Sequence, residues 1–438
     1  MEWWWALIFI FGGLIVLMAS GLPVGFAFLF MNILGIFFFW GGIPGLHQLI
    51  LSMYASLANF ILIPVPMFFL MGEIMFQSGV AVSVIDALDK WLGGLRGRLS
   101  LLTVGSGTLL SVLTGVPMAS VALLGTVLVP EMEKRGYDKR MTIGPILGSG
   151  GLAMLIPPSA LAVLLAGIAE ISVSRVLIGG ILPGLILAFL FAIYIIIRCW
   201  LNPSLAPSYE VTPPPLREKL GSLVRHILPL AFIVFMVIGL MFLGVATPTE
   251  SASMGVLGCI ILAAVHRKLS WEVMKKSFLS TARLTVMVLI IIAGSVAFSQ
   301  MLAFSQASKG LVDATMGLVV PPIVLIIGMQ IILLVLGCFM DLVSIMMITI
   351  PIFFPIIKAL GFNPLWFGIL MLLNIEMGPI TPPFGLELFV MKGVAPPHIT
   401  MVDIYRAAVP FILIDLLVLA LMLVFPALPI WLPNLMLG

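Results

Sequence analysis

The sequence predicts an all-α polytopic membrane protein built as an inverted-topology repeat, with two re-entrant hairpins and two broken helices. Three observations carry this. Hydrophobic residues make up 62% of the 438 positions and charged residues 9%, more apolar surface than a chain folding in water can hide. Apolar runs of about 20 residues, the length a helix needs to cross a bilayer, recur along the whole chain, as at 177–197, 227–243 and 407–425. The same order of segments, interrupted at the same kinds of residue, occurs twice.

Taken in order, residues 1–43 read as N-terminal scaffold helices, with spans at about 4–19 and 23–40. Trp3, Trp4 and Trp5 read as an interfacial anchor, and the basic region of a cleaved signal peptide is missing. Residues 44–98 hold a scaffold helix interrupted by Pro64 and Pro66, then an amphipathic basic arm over 80–98, either a helix lying on the membrane surface or a solvated loop helix. Residues 99–174 form the first hairpin-and-break region, the transport region if the chain moves a solute. Its hairpin is broken at Thr114-Gly115-Val116-Pro117 and its span at Ser149-Gly150-Gly151 and Pro157-Pro158. Scaffold helices fill 175–265 around an extended, proline-rich cytoplasmic linker at 202–222. A second arm and further helices occupy 266–320, with the surface-type part at 266–283 and a span from about 284. Residues 321–403 form the second transport region, broken at Phe339-Met340-Asp341 and between Asn374 and Pro383, and 404–438 hold the C-terminal helix. No window reads as a separate soluble receptor domain. Cys199, Cys259 and Cys338 lie in apolar stretches and read as small hydrophobes.

The repeat is specific at the residue level. Pro130 and Pro355 stand 225 positions apart, and the same offset pairs Gly136-Tyr137-Asp138 with Gly361-Phe362-Asn363 and Pro157-Pro158 with Pro382-Pro383. It also sets Ser149 on Asn374, Gly151 on Glu376 and Val116 on Asp341. Duplication accounts for such a constant offset. If the first hairpin opens toward the cytoplasm and the second away from it, only Arg175, Lys309 and Lys358 of the 21 basic residues fall outside cytoplasmic segments. The positive-inside rule favours this inverted arrangement, with both termini periplasmic. The net charge of +3 resides in loops and gives no reason to expect nucleic acid.

Non-helical backbone within a membrane is tolerated where it is buried in protein or lines a cavity. Broken helices there free carbonyls and expose half-helix dipoles, which suits a dehydrated cation beside an anionic group. Sodium takes about five or six oxygen ligands, supplied by carbonyls and Ser, Thr, Asn or Asp oxygens. The first pair of breaks offers Thr114, Gly115, Ser120, Ser149, Gly150 and Gly151; the second offers Asp341, Ser344, Asn374, Glu376, Gly378 and Thr381. Small residues in membrane helices also serve close packing alone. A carboxylate inside a membrane segment costs at least about 2.5 kcal/mol and is by default functional, which singles out Asp341 and Glu376. Glu250 lies near a segment end, and Glu73 and Asp415 read as structural partners. The four histidines fall near segment ends, leaving no visible proton relay or metal cluster.

Several runs resemble the large membrane subunit (DctM-type) of tripartite ATP-independent periplasmic, or TRAP, transporters. They are Gly115-Val-Pro-Met-Ala-Ser-Val-Ala-Leu-Leu-Gly, Val129-Pro-Glu-Met-Glu-Lys-Arg-Gly-Tyr-Asp, Leu155-Ile-Pro-Pro-Ser and Leu182-Pro-Gly in the first half. The second half adds Gly337-Cys-Phe-Met-Asp, Gly361-Phe-Asn-Pro and Thr381-Pro-Pro-Phe-Gly. The resemblance implies an elevator-type carrier of the ion transporter superfamily in the cytoplasmic (inner) membrane of a bacterium or archaeon. It implies import of an organic acid driven by Na+, with a periplasmic substrate-binding protein (DctP-type) and a small four-helix membrane subunit (DctQ-type) as partners. Sodium sites at the hairpin tips and breaks map onto the residues named above, with Pro157, Ser159, Pro382 and Pro383 about the substrate cavity. Many relatives carry a Ser-Gly-Ser-type first tip. Thr114-Gly115-Val116-Pro117 offers fewer hydroxyls, so carbonyls carry more of the first site. The alternative is a stand-alone sodium-coupled dicarboxylate symporter. A passive channel fits the paired breaks less well. An intramembrane enzyme using Asp341 and Glu376 lacks a nucleophile–base set or metal-ligand spacing, and no organic cofactor is expected.

Overall fold

Lipid offers the backbone no hydrogen-bond partner, so each spanning segment must satisfy its own N–H and C=O groups. A computed structural model of the chain describes residues 3–39, 41–92, 95–114, 117–207 and 215–436, and these form helices and turns with no strand among them. The first half contains α1 (Trp3–Ala19), α2 (Val24–Phe39), α3 (Ile43–Leu57), α4 (Pro64–Gln77), α5 (Val80–Leu92), α6 (Arg98–Thr114), α7 (Pro117–Lys134), α8 (Lys139–Gly150), α9 (Ala160–Ile168) and α10 (Val173–Leu201). The second contains α11 (Leu216–Ser222), α12 (Leu228–Phe242), α13 (Pro248–Val265), α14 (Trp271–Phe304), α15 (Ala307–Met316), α16 (Pro322–Phe339), α17 (Leu342–Ala359), α18 (Pro364–Met377), α19 (Leu386–Val394), α20 (Met401–Val424) and α21 (Ala427–Trp431). Among the described residues, eight helical stretches are long and apolar enough to cross a membrane. The protein is a multi-pass membrane protein.

Several elements recur in the two halves. Helices α7 and α17 begin and end 225 positions apart, and each carries the paired proline, Pro130 or Pro355. Each is followed by a glycine in the left-handed region, Gly136 at φ 74° and Gly361 at φ 77°, where a side chain would be strained. Next comes a side-chain N-cap: Asp138 accepts from the Arg140 amide and Asn363 from the Leu365 amide, each at 2.9 Å. The Pro157-Pro158 and Pro382-Pro383 bonds are both cis.

Three expectations need correction. The linker at 202–222 is not extended throughout. Pro203–Leu205 forms a short 3-10 turn, and beyond Pro215 the helix formers of Leu216–Ser222 make α11, which runs through a π-turn at Leu223–Ile227 into α12. Pro213 and Pro214 lie outside the described residues. From Trp271 on, the arm at 266–283 is continuous with the span after it in one helix, α14, started by Ser270 accepting from the Val273 amide at 3.2 Å. No proline interrupts it, and at 1.5 Å per residue it is about 50 Å long, more than the ~30 Å hydrocarbon core. The second broken span stays helical through Asn374 and Glu376. Its 3-10 turn falls at Gly378–Ile380, two residues later than the offset from Gly151–Ala153 predicts. Glycine-rich α8 stops early, whereas Asn374 is anchored sideways to α16 and Pro379 ends α18.

Packing divides around two hubs. Helix α14 packs on α2, α3 and α4, and Asn32 of α2 donates from Nδ2 to the Gly294 carbonyl at 2.6 Å. The other hub is α8, packed on α6, α7 and α20, which continues through α20 and α10 to α18. Trp366 of α18 is buried and donates to the Met422 carbonyl of α20 at 2.8 Å.

Candidate functional site

Both hairpins have helix ends where the sequence breaks. Helix α6 ends at Thr114 and α7 starts at Pro117. Gly115, Val116 and the Thr114 side chain lie outside the described residues. In the second hairpin, α16 ends at Phe339 and Asp341 caps α17: its carboxylate accepts from the Ser344 amide at 3.1 and 3.3 Å and from the Ser344 hydroxyl at 2.6 Å. Asp341 and Ser344 therefore meet as a cap, with Ser344 buried.

The tips converge on one cavity of about 790 Å³. Pro117 and Met118 of the first hairpin, Asp341, Leu342 and Val343 of the second, and Leu161 near the start of α9 form one wall. Residues Pro23 to Phe26 beside α2, Phe69 of α4 and the face of α14 from Leu279 to Ile291, Arg283 included, form the other. The N-termini of α2, α7, α9 and α17 all reach it, and helix N-termini favour negative charge. Ser159, buried, caps α9 by accepting from the Ala162 amide at 3.3 Å. Pro157, Ser159, Pro382 and Pro383 do not line this cavity. Pro383 is exposed, and its carbonyl accepts from the Tyr405 hydroxyl at 2.8 Å.

A second cavity, about 820 Å³, lies between α3, the end of α9 and α14. Gln48, Ser56, Asn59, Glu170 and Ser172 make it polar, together with Ser52 donating to Gln300. Ile291 faces the first cavity and Ile292 the second. The two cavities thus approach from either side of the middle of α14.

Behind the tips, the breaks interlock. Ser149 is buried, with its hydroxyl donating to the Ile146 carbonyl at 3.3 Å; Ser120 is buried too. The Glu376 carboxylate fills the space beside Gly151, and Glu387 Oε2 lies 3.4 Å from where a Gly150 side chain would begin. Gly150 and Gly151 of the first expected site therefore meet Glu376 of the second. Asn374 donates from Nδ2 to Gln330, to the carbonyl at 2.8 Å and to Oε1 at 2.9 Å. Its Oδ1 is buried without a partner, as are Glu376 Oε2 and both Glu387 oxygens. These are oxygens a cation can use. Gly378 and Gly337 let the backbones of the 3-10 turn and of α16 touch: a Cβ on Gly337 would lie 2.6 Å from the Gly378 Cα. Thr381 donates to the Met377 carbonyl at 2.8 Å and is half-buried. Among the described residues no three His, Cys, Asp or Glu side chains form a metal-ligand cluster. All three cysteines are buried and free.

Sequence reasoning missed three residues. Gln330 was visible as a lone amide in an apolar run, Glu387 as a carboxylate just beyond a break, and Arg283 as the last cation before the apolar stretch of α14.

The family model of the DctM component of the tripartite ATP-independent periplasmic transporter matches residues 11–428. The chain belongs to this family. It is a TRAP transporter large permease, a transporter rather than an enzyme. The C4-dicarboxylate TRAP transporter large permease DctM of Pseudomonas aeruginosa is 32% identical over 391 residues, which is 89% of this chain and 90% of that protein. The ectoine TRAP transporter large permease TeaC of Halomonas elongata is 30% identical over 425 residues, 96% of this chain and 97% of that one. The isethionate TRAP transporter permease DctMQ of Oleidesulfovibrio alaskensis is 28% identical, and the match covers 86% of this chain but 59% of the relative. Among solved structures, the YdaH transporter of Alcanivorax borkumensis superposes with a TM-score of 0.62 at 16% identity, over 87% of this chain and 88% of that one. That likeness concerns the fold.

Proposed function

We propose that this TRAP large permease imports a small organic acid in symport with Na+. A periplasmic binding protein delivers the acid, and a small membrane subunit packs against the permease in the inner membrane. The observation that carries this reading is the convergence of both hairpin tips and four helix N-termini on one cavity, with a second cavity farther along α14. Two half-cavities separated at one helix suit a carrier that exposes its site alternately. The hairpins and breaks at 99–174 and 321–403 would slide as a block against the remaining helices, an elevator motion, with the halves inverted and the termini periplasmic.

Two sodium sites fit the breaks. The unpartnered oxygens of Asn374 and Glu376 face inward from α18. Ser149, Gly150 and Gly151 stand opposite at the end of α8, and Ser120 is buried in α7; Thr114 and Gly115 belong to the same proposed set. Asp341, Ser344, Gly378 and Thr381 complete the second set. Sodium lowers the cost of burying carboxylates and of holding an anion nearby.

The test is uptake into proteoliposomes containing both membrane subunits, with the binding protein added outside. Accumulation should require the binding protein and an inward sodium gradient. Uptake without any binding protein points to a stand-alone symporter instead.

A further inference from the structure

The cavity at the hairpin tips has unusual walls for a carrier of small acids. Its side chains are almost all apolar: Phe26, Phe69, Met118, Leu161, Met287 and Ile291 are representative. Arg283, an exposed residue, carries the one cationic side chain among the described residues of the lining, and its guanidinium has no hydrogen bond or ion pair with any described residue. Asp341 is the one acidic side chain, and its carboxylate is already committed to Ser344.

A guanidinium free of partners binds a carboxylate through paired, charge-assisted hydrogen bonds. One such group neutralises one carboxylate. A second carboxylate on the same ligand would lie against apolar side chains or face Asp341, and an unpaired buried charge is costly. An apolar body, by contrast, gains about 25 cal/mol for each Å² it removes from water. The volume leaves room for such a body beside the head group.

We propose that this cavity takes a monocarboxylate with a substantial apolar body, an aryl or branched-alkyl acid, rather than a short dicarboxylate, with Arg283 holding the carboxylate. The inference rests on the transporter reading above and narrows its substrate class. Leu279 lies one helical turn from Arg283 on the same lining and is exposed, so a cysteine there reports occupancy without any transport.

The experiment labels Leu279→Cys in the purified permease with its small subunit, using a membrane-permeable maleimide. The native cysteines are buried. Acetate, 4-methylpentanoate and phenylacetate should slow labelling in rising order, and succinate should not. Arg283→Gln in the same background should raise the half-protecting phenylacetate concentration about tenfold to a hundredfold, the worth of one charged hydrogen-bonded pair. Arg283→Lys should give a smaller rise. Protection by succinate at lower concentration than phenylacetate would overturn the proposal while leaving sodium-coupled uptake intact. So would labelling that no acid in the series slows, the outcome if a lipid chain fills the cavity. Failure of sodium-dependent uptake, measured separately, would instead strike the underlying transporter reading.

Discussion

The carboxylate of Glu376 occupies the space that a side chain on Gly151 would need. These residues stand at equivalent positions of the two halves, 225 apart. One half keeps a glycine so that the other can bury an acid against its helix break. Gly151→Ala should therefore behave as overpacking and lower stability by about 1–3 kcal/mol, read as a drop in the thermal unfolding midpoint of the detergent-purified protein. Adding Glu376→Ala should restore part of the loss. An unchanged midpoint in Gly151→Ala would contradict the contact.

The crossing of Gly337 and Gly378 is tighter in kind, since backbone meets backbone. Gly378→Ala should cost more than Gly151→Ala, because no flexible side chain can yield. Gly393, in α19 with nothing near its missing Cβ, is the control. Its alanine variant should be neutral or more stable by about 0.4–1 kcal/mol. Equal midpoints for the two alanine variants would show that the crossing is not a constraint.

Asn374 and Gln330 tie α18 to α16 through two hydrogen bonds. Asn374→Leu strands the buried Gln330 Oε1 and should cost about 1–3 kcal/mol, whereas Gln330→Leu leaves Asn374 its bond to the backbone carbonyl and should cost less. The double replacement should cost less than the two singles added, as expected of residues in direct contact. Strict additivity in a thermal or denaturant series would refute the coupling.

Ion pairs outside the apolar core should separate by burial. Lys139 with Asp403 and Lys90 with Glu218, each at 2.8 Å, are solvent-facing. Breaking either should cost under about 1 kcal/mol. Arg98 is buried, bonding the Asp89 side chain at 2.8 Å and its carbonyl at 2.9 Å. Arg98→Ala should cost about 1–3 kcal/mol, since the part-buried carbonyl and the half-exposed carboxylate of Asp89 both lose their donor. Equal losses at Lys139 and Arg98 would contradict this ranking.

Much of this architecture was legible in the sequence because proline, glycine and capping residues act locally. Asp138, Asn363, Gly136 and Gly361 do in the fold what their types dictate, and the hairpin ends at Thr114 and Phe339 fall where the runs break. The misreadings came from tertiary contacts that no local pattern encodes. Gln330 holds Asn374 within α18, which runs on past the expected break. Basic residues suggested a surface arm at 266–283, yet nothing there stops a helix, so Arg283 sits inside α14 and on a cavity wall. Glu387 and Gly150 meet only because α19 packs on α8 and α7. The closing of Asp341 onto Ser344 shows the limit most clearly, since a residue marked as an ion ligand also serves as a helix cap.

The most direct test of sodium coupling is the dependence of initial uptake rate on external sodium, at fixed binding protein, in proteoliposomes of the native chain and of Glu376→Gln. The account predicts a saturable requirement for sodium that choline does not replace, with Glu376→Gln needing more sodium for half-maximal rate. Uptake that proceeds equally in choline would contradict it.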